Sequence, residues 1–306
     1  KKFEELEKRK ESVLGSIAEQ GKLTDELRQR IENCYDPTVL EDIYLPYKRK
    51  KKTRASVARE KGLEPLALRI LEQRDADDPE VLAGKYITDE VPNVTEALAG
   101  ARDIIAEMVN ESEDARNSMR RIFAKTAIVQ SKVARGKEKE GDKYKDYFDF
   151  SEALNKCPSH RLLAMRRGEE EGFLRVLIVP ADEEDTKYQL EKRFVKGAGA
   201  ASREVKTAIH DSYERLLAPS IETEFRNISK EKADKEAIDV FTQNLRQLLL
   251  AAPLGQKRVM GLDPGFRTGC KLVVLDDNGN LVENLAIYPH PPQSDEAGAK
   301  KTIAFL

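Results

Sequence analysis

The sequence predicts a mainly α chain, a multi-helix scaffold followed by an incomplete α/β domain. Three observations carry that prediction. Up to Leu250 apolar residues recur mostly every three or four positions, the period of a helix that buries one face. Charged residues make up 35% of the 306, which suits helices with one solvated side. From Lys257 the texture changes to short apolar runs broken by glycine turns, the marks of strands.

Taken in order, residues 1 to about 33 read as helix, with Leu6, Val13, Leu14, Ile17, Leu23, Leu27 and Ile31 at helical spacing. Gly21 breaks the run, and Thr24 before Asp25 and Glu26 caps a second segment. Tyr44-Leu45-Pro46-Tyr47 is expected to be extended, because Pro46 disfavours the helical region for Leu45. Helices are expected over 54 to 61, stopped by Gly62, and over 64 to 73. Ser112 caps a long helix to about Arg135, with Ala115, Met119, Ile122, Thr126, Val129 and Val133 as its buried stripe and Gly136 as its end. Lys137 to Lys145 is a mixed-charge loop, and short helices fill 151 to 168. Phe173 to Val179 reads as a strand closed by Pro180. Gly197-Ala198-Gly199-Ala200 is a flexible link. Two long helices follow, about 201 to 218 and 229 to 251, the second burying Ala237, Val240, Phe241, Leu245, Leu248 and Leu249. The domains expected are 1–150, 151–256 and 257–306, with no internal repeat.

At Val259-Met260-Gly261-Leu262-Asp263-Pro264-Gly265 an apolar run delivers a carboxylate into a Pro-Gly turn. An RNase H-like sheet opens this way, with an acid at the end of its first strand. Asp277-Asn278-Gly279-Asn280 signals a two-residue hairpin between Leu272–Leu275 and Leu281–Ile287. The chain stops at Leu306, before such a domain is finished, and begins at Lys1 rather than Met. A piece of a larger protein is therefore expected.

Composition narrows the function classes. Net charge is −2, so no global field draws the chain to polyanions, and any such binding must come from local clusters. The three cysteines, Cys34, Cys157 and Cys270, form neither a metal pattern nor an obvious disulfide set, and a reducing cytosol fits. No apolar run approaches the ~20 residues of a membrane span, and no signal peptide is visible.

The densest positive cluster is Lys48-Arg49-Lys50-Lys51-Lys52, with Arg54 close by. Such a run binds phosphates through counterion release without reading sequence, and Tyr44 and Tyr47 stand beside it as stacking candidates. The alternative is a solvated loop whose tyrosines pack against the helical body. Arg161, Arg166 and Arg167 would form a second patch if they share a surface. Asp263 is the one acid with a catalytic context, yet two-metal hydrolysis needs several carboxylates around two Mg²⁺ ions. Asp276 and Asp277 read better as turn formers. His160, His210 and His290 lie far apart in sequence, and the glycines match neither a dinucleotide site nor a P-loop. No cofactor is implied.

Several segments together resemble the bacterial Tex family of transcription accessory proteins. They are Leu40-Glu41-Asp42-Ile43-Tyr44-Leu45-Pro46-Tyr47-Lys48; Ala58-Arg59-Glu60-Lys61-Gly62-Leu63-Glu64-Pro65-Leu66; Asp146-Tyr147-Phe148-Asp149-Phe150; Pro158-Ser159-His160-Arg161; and Leu248-Leu249-Leu250-Ala251-Ala252-Pro253 leading to Gly261-Leu262-Asp263-Pro264-Gly265. They occur in the family's order across most of the chain. The resemblance implies a helical scaffold and the first part of an RNase H-like domain of the YqgF type, within a larger protein that adds helix-hairpin-helix domains and an OB-fold. It also implies that the YqgF-type domain has lost its full acid set. The function expected is sequence-independent binding of RNA or DNA in transcription, without catalysis, in the cytoplasm. Two alternatives stand beside it: a metal-dependent nuclease of the RuvC or RNase H type using Asp263, and a scaffold docking on RNA polymerase or the ribosome. The residues themselves give no oligomeric state.

Overall fold

The computed structural model describes residues 2–48, 52–265 and 269–306. The chain forms two compact units, Lys1–Asp239 and Val240–Leu306.

The first unit opens with α1 (Lys2–Glu19), α2 (Asp25–Glu32) and α3 (Pro37–Tyr44). Thr24 caps α2 by accepting the Leu27 N–H, as its position before two acids predicts, and Asp36 caps α3 through the Thr38 N–H. Leu6, Val13, Ile17, Ile31, Leu40, Ile43 and Tyr44 meet in a core of their own. Leu45–Tyr47 is a turn of 3₁₀ helix, not extended chain. Leu45 stays in the right-handed helical region despite the following proline, and Pro46 sits in the first turn of the 3₁₀ helix, where its missing N–H is tolerated.

A second core is built around α7 (Val94–Glu111), which packs against α4 (Arg54–Glu60), α5 (Glu64–Glu72) and α6 (Pro79–Ala83). Thr53 and Ser56 cap α4 reciprocally, each side chain accepting the other's backbone N–H. Glu107 is buried on α7 and receives the Thr53 hydroxyl at 3.1 Å and the Arg59 guanidinium at 2.5 Å, which ties α4 to α7.

Ser112 caps α8 as expected, but α8 (Glu113–Thr126) ends nine residues before Arg135. Residues Ala127–Val133 form β1, the centre of an antiparallel sheet ordered β2-β1-β3, with β2 at Asp149–Ala153 and β3 at Leu174–Pro180. Along β1, Ala127, Val129 and Ser131 are buried, while Ile128, Gln130 and Lys132 are more open. That alternation has the period of a strand and also fits a helical stripe loosely, so pairing on both sides decided the state. The residues expected as short helices over 151 to 168 divide between β2 and α9 (Ser159–Glu170). β2 also crosses residue 150, so β1 pairs with residues on both sides of that position.

Edge strand β3 is sealed by side chains. Glu169 accepts the Val176 N–H, Glu222 accepts the Ile178 N–H, and Arg226 donates to the Val176 carbonyl. An edge so occupied offers no template to another strand.

α10 (Glu183–Phe194) and α11 (Ala200–Ser212) follow, then a π-helical turn over Tyr213–Leu217 and α12 (Ala218–Leu249). The two helices expected around 201 to 251 are therefore one continuous helical run. Asp42 on α3, buried, joins Arg116 and Arg120 of α8 at 2.6 and 2.5 Å, and Arg120 reaches Glu224 of α12 at 2.7 Å. This network binds the first core to the second.

In the second unit β4 (Val259–Asp263), β5 (Cys270–Leu275) and β6 (Leu281–Ile287) form an antiparallel sheet ordered β4-β5-β6, with α13 (Glu296–Phe305) against it. Cys270, Leu272, Ile287 and Ala299 make its core. The hairpin turn is longer than the two residues expected. Asp276 accepts the N–H groups of Asn278 and Asn280, and the Asp276 N–H closes onto the Asn280 carbonyl. The stripe expected to be buried on the last long helix is exposed at Val240, Phe241, Leu245, Leu248 and Leu249. Helical period marks a shared face, and only a neighbour makes that face a core.

Candidate nucleic-acid interface

The predicted basic segment begins where the first core ends. Lys48 is exposed and lines a polar cleft of about 270 Å³ with Asp42, Arg116 and Arg215. Arg49, Lys50 and Lys51 lie outside the described residues. Lys52 is exposed and stands 4.0 Å from Glu60, a surface pair whose strength, at most about 1 kcal/mol, leaves the ammonium open to competition. Arg54 is exposed at the first position of α4.

Lys52, Arg54 and Lys61 rim a cleft of about 450 Å³ floored by Val57, Leu63 and Val91. Gly100 belongs to its wall, and a Cβ at that position would press into the Leu63 side chain. Two carboxylates from α7, Glu96 and Asp103, also line the cleft. Burial raises the Asp103 carboxyl above the ordinary carboxylate range, against the pull of Arg215 at 3.3 Å. The cleft thus offers an apolar floor with mixed charge and a cationic excess of one, suited to a ligand with an apolar face and a negative group. Lys61 was not singled out from sequence. Its signal was its place seven residues after Arg54, two turns along the same helical face.

The tyrosines take the packing role. Tyr44 is buried, its hydroxyl 3.0 Å from Ser16 Oγ and its ring 5.3 Å from the Arg9 guanidinium. Tyr47 packs against the same core and remains partly open, and its carbonyl accepts from Gln20 at 2.7 Å.

Arg161, Arg166 and Arg167 all lie on α9. Five residues turn a helix by about 140°, so Arg161 and Arg166 face different ways. Arg161 bonds Glu152 at 2.7 Å and covers the Phe150 ring. Arg166 bonds Glu169 at 2.8 Å, and Glu169 also receives Arg226. Arg167 is exposed. The structure therefore places two of these three guanidiniums in ion pairs within the fold.

Asp263 ends β4, exposed, in register with Lys271 of β5. Asp276 follows Leu275, which pairs with Val259 at the other end of β4, so Asp276 is held apart from Asp263. Among the described residues no three His, Cys, Asp or Glu side chains gather to hold a metal. Of the other candidates, His210 bonds Glu191 at 2.5 Å. Burial, and then Glu152, push the Cys157 thiol up to about 11.

The family model described as Tex central region-like matches residues 74–241, and the Tex protein YqgF-like domain matches residues 257–306. The chain belongs to the Tex family. It is 42% identical to Protein tex of Bordetella pertussis over 96% of this chain and 39% of that protein. It is 43% identical to Uncharacterized protein YdcI of Bacillus subtilis over 98% of this chain and 42% of that protein. It is 30% identical to S1 RNA-binding domain-containing protein 1 of Homo sapiens, over 97% of this chain and 31% of that protein. The chain thus spans about two fifths of the length of the first of these relatives. Its helical body and sheet belong largely to the Tex central region, and β4, β5, β6 and α13 to the YqgF-like domain. Among the described residues no helix is long and apolar enough to cross a membrane.

Proposed function

We propose that this chain is the nucleic-acid-contacting scaffold of a Tex-type transcription accessory protein, binding RNA or DNA without reading sequence and without catalysis. The observation that carries the reading is the exposure of Lys48, at the rim of one cleft, and of Lys52 and Arg54, at the rim of another. In sequence Arg49, Lys50 and Lys51 lie between Lys48 and Lys52. Cations held this way neutralise phosphates and release counterions, which gives affinity independent of base identity. Relatives named as a transcriptional accessory protein and as an S1 RNA-binding domain-containing protein support the assignment to transcription and to RNA. The nuclease alternative would use Asp263, and two-metal hydrolysis needs several carboxylates around it.

The test is titration of single- and double-stranded RNA and DNA at several salt concentrations, with Mg²⁺ or Mn²⁺ present in a parallel set. The triple variant Lys48→Glu/Lys52→Glu/Arg54→Glu is expected to bind at least tenfold more weakly with a shallower salt slope, and the nucleic acid is expected to stay intact. Unchanged affinity removes the basic segment. Metal-dependent cleavage that disappears in Asp263→Asn makes the protein a nuclease instead.

A second reading, protein docking on RNA polymerase or the ribosome, is favoured by one observation: the exposed apolar stripe of Phe241, Leu245, Leu248 and Leu249. Co-purification of those assemblies that survives nuclease treatment would support it.

A further inference from the structure

α8 and α10 run antiparallel. Arg193, near the end of α10, is 3.4 Å from Asp114 at the start of α8, and the Ala181 N–H bonds the Thr126 carbonyl at the opposite ends. Between them lies a groove of about 240 Å³. α8 lines it with Ser118, Arg121 and Lys125, and α10 with Gln189 and Arg193. Asp185 is the single acid among the lining residues, and the Gln189 amide binds it at 3.3 Å.

Two cations, Arg121 and Lys125, therefore line the groove beside Arg193, which Asp114 already pairs, and the one lining carboxylate, Asp185, has its own partner. Arg121 and Lys125 are exposed, and neither makes an ion pair with a described residue. They stand four residues apart, one turn along a single face of α8, and like charges at that spacing repel. At 1.5 Å per residue they are about 6 Å apart along the helix axis. A pair of positive groups held at a mutual electrostatic cost, beside an amide donor, is stabilised by a ligand carrying a row of negative charges.

We propose that the α8–α10 groove is a second binding track for nucleic acid, taking the phosphodiester backbone of a single strand. Arg121 and Lys125 neutralise successive phosphates, and Gln189, across the groove on α10, donates a hydrogen bond to a backbone oxygen. No aromatic side chain lines the groove, so bases point away and the contact is blind to sequence. The proposal rests on the nucleic-acid reading above but on residues separate from Lys48, Lys52 and Arg54.

The experiment measures single-stranded RNA and DNA binding to the full chain against salt, for the unaltered protein, Arg121→Ala/Lys125→Ala, Lys125→Gln and the triple variant of the basic segment. Each single-strand phosphate contact contributes about 0.7 to the slope of log K on log salt. The double variant is expected to lower that slope by about 1.4 and Lys125→Gln by about 0.7, with helical circular dichroism unchanged. Unaltered slope and affinity in both groove variants, while the triple variant weakens binding, would overturn the groove and leave the nucleic-acid reading standing. An unaltered protein that binds neither RNA nor DNA would remove both. If the groove variants lose a polyglutamate peptide but keep their nucleic-acid slope, the groove is an acidic-protein site and the proposal fails.

Discussion

At the scale of single residues, charge is informative only with its partner. Asp42 sits in a segment that carries the family resemblance, and nothing in its sequence neighbours distinguishes it from a surface acid. In the fold it is buried between Arg116 and Arg120, which lie more than seventy positions later. Removing one partner from a buried ion pair leaves an uncompensated charge and costs about 3–5 kcal/mol. Asp42→Ala is therefore expected to lose about that much stability in urea unfolding, and a loss below about 1 kcal/mol would show that water screens the network. Cys157 gives a pH-dependent prediction. Its thiol is raised to about 11 by burial and by Glu152, so thiolate forms later than in an unfolded chain. Alkylation at pH 8 should be much slower than for a free cysteine and should climb until the pH approaches 11. A rate profile with a midpoint near 9 would contradict the burial. The basic run at 48–54 was legible because six cations crowd into seven positions. The pairing of Arg161 was not, because its acid, Glu152, comes from β2; that of Arg166 with Glu169 is local, one turn along α9.

At the scale of elements, capping residues carried reliable local information. Thr24, Thr53 and Ser112 all begin helices where their side chains can accept a backbone N–H, an interaction within three residues. Periodicity was weaker, as the passage from α8 to β1 shows. Val129 and Val133 sit at helical spacing from Met119 and Thr126, yet the chain from Ala127 onward is paired by both β2 and β3. Intrinsic preference yields there to two ladders of hydrogen bonds. Close packing at the sheet gives an element-scale prediction. A Cβ on Gly168 of α9 would stand 2.6 Å from Leu174 Cδ1 and 2.9 Å from its Cγ. Alanine favours a helix over glycine by about 1 kcal/mol, but overpacking costs about 1–3 kcal/mol. Gly168→Ala is expected to lower the thermal midpoint, and a higher midpoint would show that Leu174 has room to shift.

At the scale of the whole molecule, a net charge of −2 leaves no long-range field to gather nucleic acid, so binding must be local and strongly salt-dependent. Part of the charge is used within the fold: Glu107, Asp42, Glu169 and Glu191 each hold at least one cation there. Lys48 and Arg54 at the basic segment, and Arg121 and Lys125 along the α8–α10 groove, are the cations for which a ligand is proposed. The sequence by itself determined the helical character of the body, the change of texture near Lys257, the family and the basic segment, because each rests on neighbours a few residues apart or on an ordered set of motifs. Only the tertiary structure decided that Ala127–Val133 is a strand, that Phe241 and Leu245 are exposed, and which arginines are already neutralised. Those outcomes depend on groups brought together from distant positions, and burial and pairing energies are set by the neighbour that arrives.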